Sequence, residues 1–95
     1  MEFKARILVV DDEDAHARAT AESLEKVGYK CIVATGRREA LHHLRQGNID
    51  IVVTDLVMKE TDGLEVLRTA KERIPDAQVI LVTGYGTVET AVKAM

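Results

Sequence analysis

Two adjacent aspartates and a third one further along the chain are the side chains with the clearest chemical potential. Asp11 and Asp12 directly follow an apolar run of strand length at residues 7–10, and Asp55 follows a similar run at residues 51–53. Adjacent acids at the end of a buried strand repel one another and are partly desolvated, so they need a cation. Carboxylate oxygens at one open edge suit Mg²⁺, which keeps several waters and bridges carboxylates to phosphate. The pattern therefore predicts a magnesium site.

A magnesium ion would let this acidic pocket accept a phosphoryl group. An aspartate can form an acyl phosphate, and the metal neutralises charge on the transferred group. Thr83 follows another apolar run at residues 79–82, and its hydroxyl is a candidate donor to a phosphoryl oxygen. Gly84 beside it leaves room for the donor. The alternative for strand-end acids is helix capping or a solvated loop, and we expect Asp14 to cap the first helix.

The elements that position these residues follow from four short apolar runs rich in β-branched residues. None alternates with polar residues, which is typical of strands buried on both faces of a parallel sheet. The stretches between them have helical spacing, and right-handed crossovers would place helices on both faces of the sheet. The strands are predicted at 7–10, 31–34, 51–53 and 79–82, and the helices at 14–27, 36–46, 63–74 and from Thr87 onwards. The carboxyl ends of such strands share one edge, where the active crevice of an open α/β sheet lies.

Each predicted helix has an apolar face and a recognisable end. Gly28, Gly47 and Pro75 are placed to end the first three helices, and Asp62 and Glu65 have capping-box spacing at the start of the third. The faces expected to be buried contain Ala17, Ala21, Leu24, Val27, Ala40, Leu41, Leu44, Leu64, Leu67, Ala70 and Ile74.

Composition limits the class of protein. Ninety-five residues make one domain, residues 1–95, and the sequence stops within the last predicted helix, so we expect the domain to be incomplete at its C-terminus. A net charge of −3 argues against direct nucleic-acid binding, and no apolar run approaches the ~20 residues that span a membrane. The single cysteine, Cys31, forms no internal disulfide and is expected to be buried, which fits a cytoplasmic protein.

Several motifs together resemble the receiver domains of bacterial two-component response regulators. Residues 7–13 resemble the first strand and acidic pair of that family, and residues 52–58 followed by 62–65 resemble its phosphorylation-site strand and the start of its third helix. Residues 79–86 are similar to the fourth strand with its switch threonine. The run 83–95 is similar to receivers of nitrogen-regulation-class transcriptional activators.

The resemblance implies a fold and a role for each site residue. The fold would be a doubly wound, flavodoxin-like (CheY-like) sheet, with the strand order 2-1-3-4 and a fifth strand and helix missing. Asp55 would be the phosphoacceptor, and Asp12, Asp55 and the backbone carbonyl of Val57 would ligate Mg²⁺ directly. Asp11 would act on the metal mainly through water. Thr83 would hydrogen-bond a phosphoryl oxygen.

The resemblance also implies partners. The domain would be a signalling switch that assists its own phosphotransfer but is not an enzyme. It would be phosphorylated by a sensor histidine kinase and would act on an output domain, which in nitrogen-regulation-class activators is an ATPase plus a DNA-binding domain. The family's phosphoryl-pairing lysine would lie in the missing fifth strand, and Lys59 stands where the family usually has proline. Without that strand, residues 79–82 would form a bare apolar edge, through which we expect self-association.

Three other functions compete with this one. A receiver-shaped docking or dimerisation module that is never phosphorylated has the same fold. A phosphatase of the haloacid dehalogenase type needs a second acid two residues after the nucleophile, where this chain has Val57. A flavodoxin-like flavin binder needs a donor-rich phosphate loop after the first strand, where residues 11–14 are all acidic.

Overall fold

The structure, a computed structural model, describes residues 5–55, 58 and 63–82. Seven predicted elements are present, each within about two residues of its predicted bounds. They are β1 (Arg6–Val10), α1 (Asp14–Lys26), β2 (Lys30–Ala34), α2 (Arg37–Gln46), β3 (Ile51–Asp55), α3 (Gly63–Arg73) and β4 (Gln78–Val82). The predicted helix from Thr87 onwards and the capping residue Asp62 lie outside the described residues.

The four strands form one parallel sheet in the order β2-β1-β3-β4, which confirms the predicted doubly wound arrangement. In its centre, Val9 of β1 is paired with Val33 of β2 and Val53 of β3. Asp50 anchors the amino end of the sheet, since its Oδ2 accepts the N–H of Arg6 at 2.9 Å. These contacts fix the register that decides where each strand ends.

The hydrophobic core lies on both faces of β1, because successive residues of a strand point to opposite sides. Ile7 and Val9 pack with Ala17 and Ala21 of α1 on one face. On the other face the second cluster contains Leu8, Val10, Ala34, Ala40, Leu41, Leu44, Ile49, Val52, Val66 and Ala70. Helix α1 therefore covers one face of the sheet, and α2 and α3 cover the other.

The predicted buried face of α3 is partly wrong, since Val66 is buried whereas the expected Leu64 and Leu67 are only half-buried.

Other parts of the predicted core are also wrong. Val27 was expected on the buried face of the first helix, but it is 71 % exposed because the helix ends at Lys26. All four strands were expected to be buried on both faces, but β4 alternates, with Ile80 50 % and Val82 43 % exposed. Cys31 is only half-buried, and this desolvation, together with the charge of Glu25, raises the pKa of its thiol.

The end of α1 follows the glycine prediction. Gly28 has φ +103°, and its N–H donates to the carbonyl of Glu25 at 3.0 Å, while the N–H of Tyr29 donates to Leu24 at 3.3 Å. This pair of bonds is a Schellman motif, in which a residue without Cβ adopts a left-handed conformation at little cost. Gly47, with φ +73°, ends α2 as predicted.

The predicted cap of α1 is wrong. The N-cap is Glu13, which has extended backbone and makes no side-chain capping bond. Asp14 is instead the first helical residue, and its carboxylate accepts hydrogen bonds from Nε of Arg18, one turn later, at 2.9 and 3.1 Å. A carboxylate in the first turn still interacts favourably with the helix dipole.

None of the helices in the described part of the chain is both long and apolar enough to cross a membrane.

Leu8→Ala should test the central position of β1. Leu8 is fully buried within the core on the α2–α3 face. Its truncation should lower the free energy of unfolding by about 2–5 kcal/mol, because lost transfer energy and a residual cavity add. Urea unfolding measures the loss. The exposed Val27→Ala should change it by less than about 0.5 kcal/mol, and equal effects for both substitutions would contradict the core described above.

Candidate functional site

The acidic site lies where the two central strands end. Asp11 directly follows β1, and Asp55 is the last residue of β3. Because Val10 pairs with Thr54, the two aspartates leave neighbouring strands at the same edge of the sheet. The strand-end positions alone therefore bring together acids that are distant in sequence.

The three predicted carboxylates do converge. One oxygen from each of Asp11, Asp12 and Asp55 lies within 4.8 Å of the other two. Asp11 is only 5 % exposed, whereas Asp12 and Asp55 are half-buried. Three like charges at this separation and degree of burial repel one another strongly unless a cation lies between them.

Asp11 is held from three directions. Its N–H donates to the carbonyl of Ala34 in β2 at 3.1 Å. Its Oδ1 accepts the N–H of Glu13 at 3.0 Å, and its Oδ2 contacts Nδ1 of His16 in the first turn of α1. Backbone and side chain are therefore both fixed before any ligand binds.

Asp55 is fixed mainly through the strand that carries it. Its neighbour Thr54 is fully buried, and the Thr54 hydroxyl donates to the carbonyl oxygen of Asp55 at 3.1 Å. This bond satisfies a buried hydroxyl and steadies the last residue of β3.

A small cleft lies beside the carboxylates of Asp11 and Asp55. It has a volume of ≈ 50 Å³, enough for about three or four waters. Its apolar walls come from the strands, and its polar groups come from the strand ends and α1. It is lined by Val9, Val10, Asp11, His16, Thr20, Val53, Asp55 and Val82.

Two predicted site residues, Thr83 and Val57, lie outside the described residues, as do Gly84 and Lys59. Val82, which immediately precedes Thr83, lines the cleft.

Sequence reasoning missed His16 and Thr20. They are one helical turn apart, and both line the cleft. The sequence does indicate that polar residues early in α1 lie near the site, because α1 starts shortly after the acidic pair and its first turns must pass over the strand end.

The donor set fits a small divalent cation. Carboxylate oxygens are hard ligands of the kind that Mg²⁺ and Ca²⁺ take, and oxygens within 4.8 Å of one another can share an ion after small side-chain rotations. Asp12 and Asp55 are half-buried, whereas Asp11 is enclosed.

Comparison with known proteins gives a consistent result. Residues 7–95 match the family profile of the response regulator receiver domain. The transcriptional regulatory protein ZraR of Escherichia coli is 38 % identical over 89 residues, which are 94 % of this chain and 20 % of ZraR. The chain thus spans about a fifth of the length of the curated relatives that it matches.

Two solved structures are similar over nearly the whole chain. A response regulator from Burkholderia pseudomallei with a phosphorylated aspartic acid, a calcium ion and citrate has a TM-score of 0.89 at 31 % identity, covering 96 % of this chain and 54 % of that one. The beryllofluoride-activated NtrC4 receiver domain dimer has a TM-score of 0.84 at 39 % identity, covering 94 % and 74 %.

The strand order, the acidic strand ends and these matches agree. The chain belongs to the response regulator receiver domain family.

Proposed function

We propose that this domain is a phosphorylation switch in which Asp55 accepts the phosphoryl group. The convergence of Asp11, Asp12 and Asp55 within 4.8 Å at the carboxyl edge of the sheet carries this proposal. Asp55 is the proposed nucleophile of the three, because it is half-buried and lines the cleft, whereas Asp11 is almost fully buried. The phosphorylated aspartic acid of the Burkholderia regulator supports the same chemistry.

Magnesium is the proposed cofactor. Asp12, Asp55 and the backbone carbonyl of Val57 would ligate it directly, and Asp11 would act through a metal-bound water. The ion would supply positive charge that neutralises the phosphoryl oxygens during transfer. The Asp11 carboxylate, fixed by Glu13 and His16, suits the water-mediated role because its orientation is set in advance.

The transfer itself needs little from the protein beyond position and charge. An oxygen of Asp55 attacks the phosphorus of a phosphohistidine, so an O–P bond forms while the P–N bond breaks. The bonding electron pair stays on the imidazole nitrogen of the donor, which takes a proton from water. The Thr83 hydroxyl would donate to a phosphoryl oxygen. The chain's contribution is thus a preorganised set of groups around a loose transition state.

The partners follow from this chemistry. The donor would be a sensor histidine kinase in the cytoplasm, and the phosphorylated domain would act on an output domain. ZraR is a transcriptional regulatory protein, so an output that controls transcription through an ATPase and a DNA-binding domain is our proposal for the whole protein.

Self-association through β4 is a further part of the proposal. Among the described residues β4 pairs only with β3, and two of its apolar side chains, Ile80 and Val82, are about half exposed. An apolar strand at the edge of a sheet readily pairs with another chain. The dimeric NtrC4 receiver domain supports the idea that related domains associate.

Neutralising one carboxylate should stabilise the metal-free domain. Asp12→Asn should raise the free energy of unfolding by about 0.5–2 kcal/mol, since it removes like-charge repulsion at a functional site. Millimolar MgCl₂ should raise the Tm of the wild type more than NaCl of equal ionic strength, and the increment should shrink in Asp12→Asn. Thermal unfolding measures the stability change in Asp12→Asn and the Tm increments with each salt, and Asp76→Asn, at an exposed and remote position, is the control. Equal responses to the two salts would contradict a magnesium site.

Phosphorylation should be detectable directly. After incubation with Mg²⁺ and a small acyl-phosphate donor, intact-mass spectrometry should find one added phosphoryl group, released by hydroxylamine as expected for an acyl phosphate. Asp55→Asn should abolish the addition, and Asp76→Asn should leave it unchanged.

The same experiment separates the two candidate functions. Labelling that persists in Asp55→Asn would show that another residue accepts the phosphoryl group. If neither this chain nor a longer one that includes the fifth strand and helix implied by the family resemblance becomes labelled, the phosphorylation proposal is wrong, and a docking or dimerisation module remains.

Self-association should depend on the exposed face of β4. The molar mass from light scattering after size exclusion should rise with protein concentration, and Ile80→Lys should restore the monomer because a charge on an edge strand opposes pairing. Val27→Lys, at an exposed apolar position near the end of α1, is the matched control. A monomeric wild type at high micromolar concentration would contradict this prediction.

A further inference from the structure

We infer that His16 is a positioning residue for the metal site, which holds Oδ2 of Asp11 and keeps that oxygen out of direct metal coordination. The consequence is a preference for an ion that retains its waters, Mg²⁺, over one that collects carboxylate oxygens, Ca²⁺. The inference rests on the proposed function, because it assigns a role in the same acidic cluster to a residue outside the three carboxylates.

The bonding around Asp11 carries the inference. Oδ1 accepts the N–H of Glu13 at 3.0 Å, and Oδ2 contacts Nδ1 of His16. An ionised carboxylate only accepts hydrogen bonds, so in this arrangement His16 would be the tautomer with its proton on Nδ1 and would donate to Oδ2. Each oxygen of Asp11 then has one donor, and an ion bound through both oxygens would have to share Oδ2 with the imidazole of His16.

The placement of His16 does not serve packing. Its side chain is 55 % exposed, whereas that of Asp11 is 7 % exposed. The residues of α1 that do pack on the sheet are Ala17 and Ala21, whose small side chains let the helix lie close to β1. A close helix brings the first turn, and with it His16, over the end of the strand.

The helix face that contains His16 points into the cleft. Thr20, one turn further along, lines the same cleft together with Asp11 and Asp55. His16 thus contacts one carboxylate of the cluster while bordering the space that an ion would occupy. A histidine that only capped the helix would not need to border that space.

Ion selectivity follows from the way the two metals bind. Ca²⁺ takes six to eight oxygens and often binds carboxylates through both oxygens, whereas Mg²⁺ is octahedral and keeps several waters. An Asp11 carboxylate whose Oδ2 contacts His16 suits the octahedral arrangement of Mg²⁺, in which several waters are kept. Loss of His16 should loosen Asp11, weaken Mg²⁺ binding on the order of ten-fold as for other groups that orient ligands, and weaken Ca²⁺ binding less.

Isothermal titration of the metal-free protein with MgCl₂ and with CaCl₂ tests this. His16→Leu removes the donor with little change in shape, and His16→Asn places an amide N–H₂ where Nδ1 lies. We expect the Mg²⁺ affinity to fall about ten-fold in His16→Leu and to recover in His16→Asn, with the Mg²⁺/Ca²⁺ affinity ratio following the same order. The exposed His42→Leu on α2 should match the wild type, and urea unfolding of each metal-free variant corrects for any unfolded fraction.

A second readout does not involve metal. In ¹⁵N-labelled protein, long-range proton–nitrogen NMR spectra report which ring nitrogen carries the proton. We expect a proton on Nδ1 of His16 in the wild type and a return to Nε2 in Asp11→Ala. A bare Nδ1 in the wild type would overturn the inference, as would a Mg²⁺ affinity in His16→Leu equal to that of a wild type that binds normally. A wild type that binds no Mg²⁺ would overturn the proposed function and this inference with it.

Discussion

The site depends on the parallel direction and register of β1 and β3. Because both strands run the same way, their carboxyl ends meet at one edge, and the pairing of Val10 with Thr54 places Asp11 beside Asp55. Side chains alternate along a strand, so a slip of one residue would turn every side chain to the other face. The buried Leu8 and its partner across the pair, Val52, oppose such a slip, since both are fully buried in the same cluster. The core is thus what holds the carboxylates together.

Three carboxylates held close together destabilise the fold because their charges repel one another. The structure reduces this effect differently at each carboxylate. Asp11, the most buried of them, has both oxygens hydrogen-bonded by α1 and the turn before it. Charge-assisted bonds of this kind are stronger than neutral ones and offset the desolvation of the carboxylate. Asp12 and Asp55 keep more contact with solvent, which screens their repulsion. The two more accessible carboxylates therefore lie on the open side of the cluster, where an ion or a phosphoryl group would approach.

Most of this arrangement could be predicted from apolar runs and strand ends, because a parallel sheet turns linear order into position. The meeting of Asp11, Asp12 and Asp55 came out as predicted from the strand ends, and the strand order is the one that the resemblance to receiver domains implied. The errors arose where position depends on tertiary packing. Val27 continued the apolar face of the first helix, but the helix ended before it. His16 was missed because helical spacing alone does not say which polar residues pass over a strand end, a question that the packing of Ala17 and Ala21 decides.

A site with one fixed and two more accessible carboxylates combines a rigid part with a part that can adjust to a ligand. A group that must bind an ion and then a phosphoryl moiety gains from some freedom, but a wholly mobile cluster would lose much of its binding energy in ordering side chains. Asp11 is tied to β2 through its backbone and to α1 through its side chain, so it provides a fixed reference for the other two. Since α1 itself is fixed by small alanines against β1, the geometry of the acidic edge depends on the same packing that stabilises the domain.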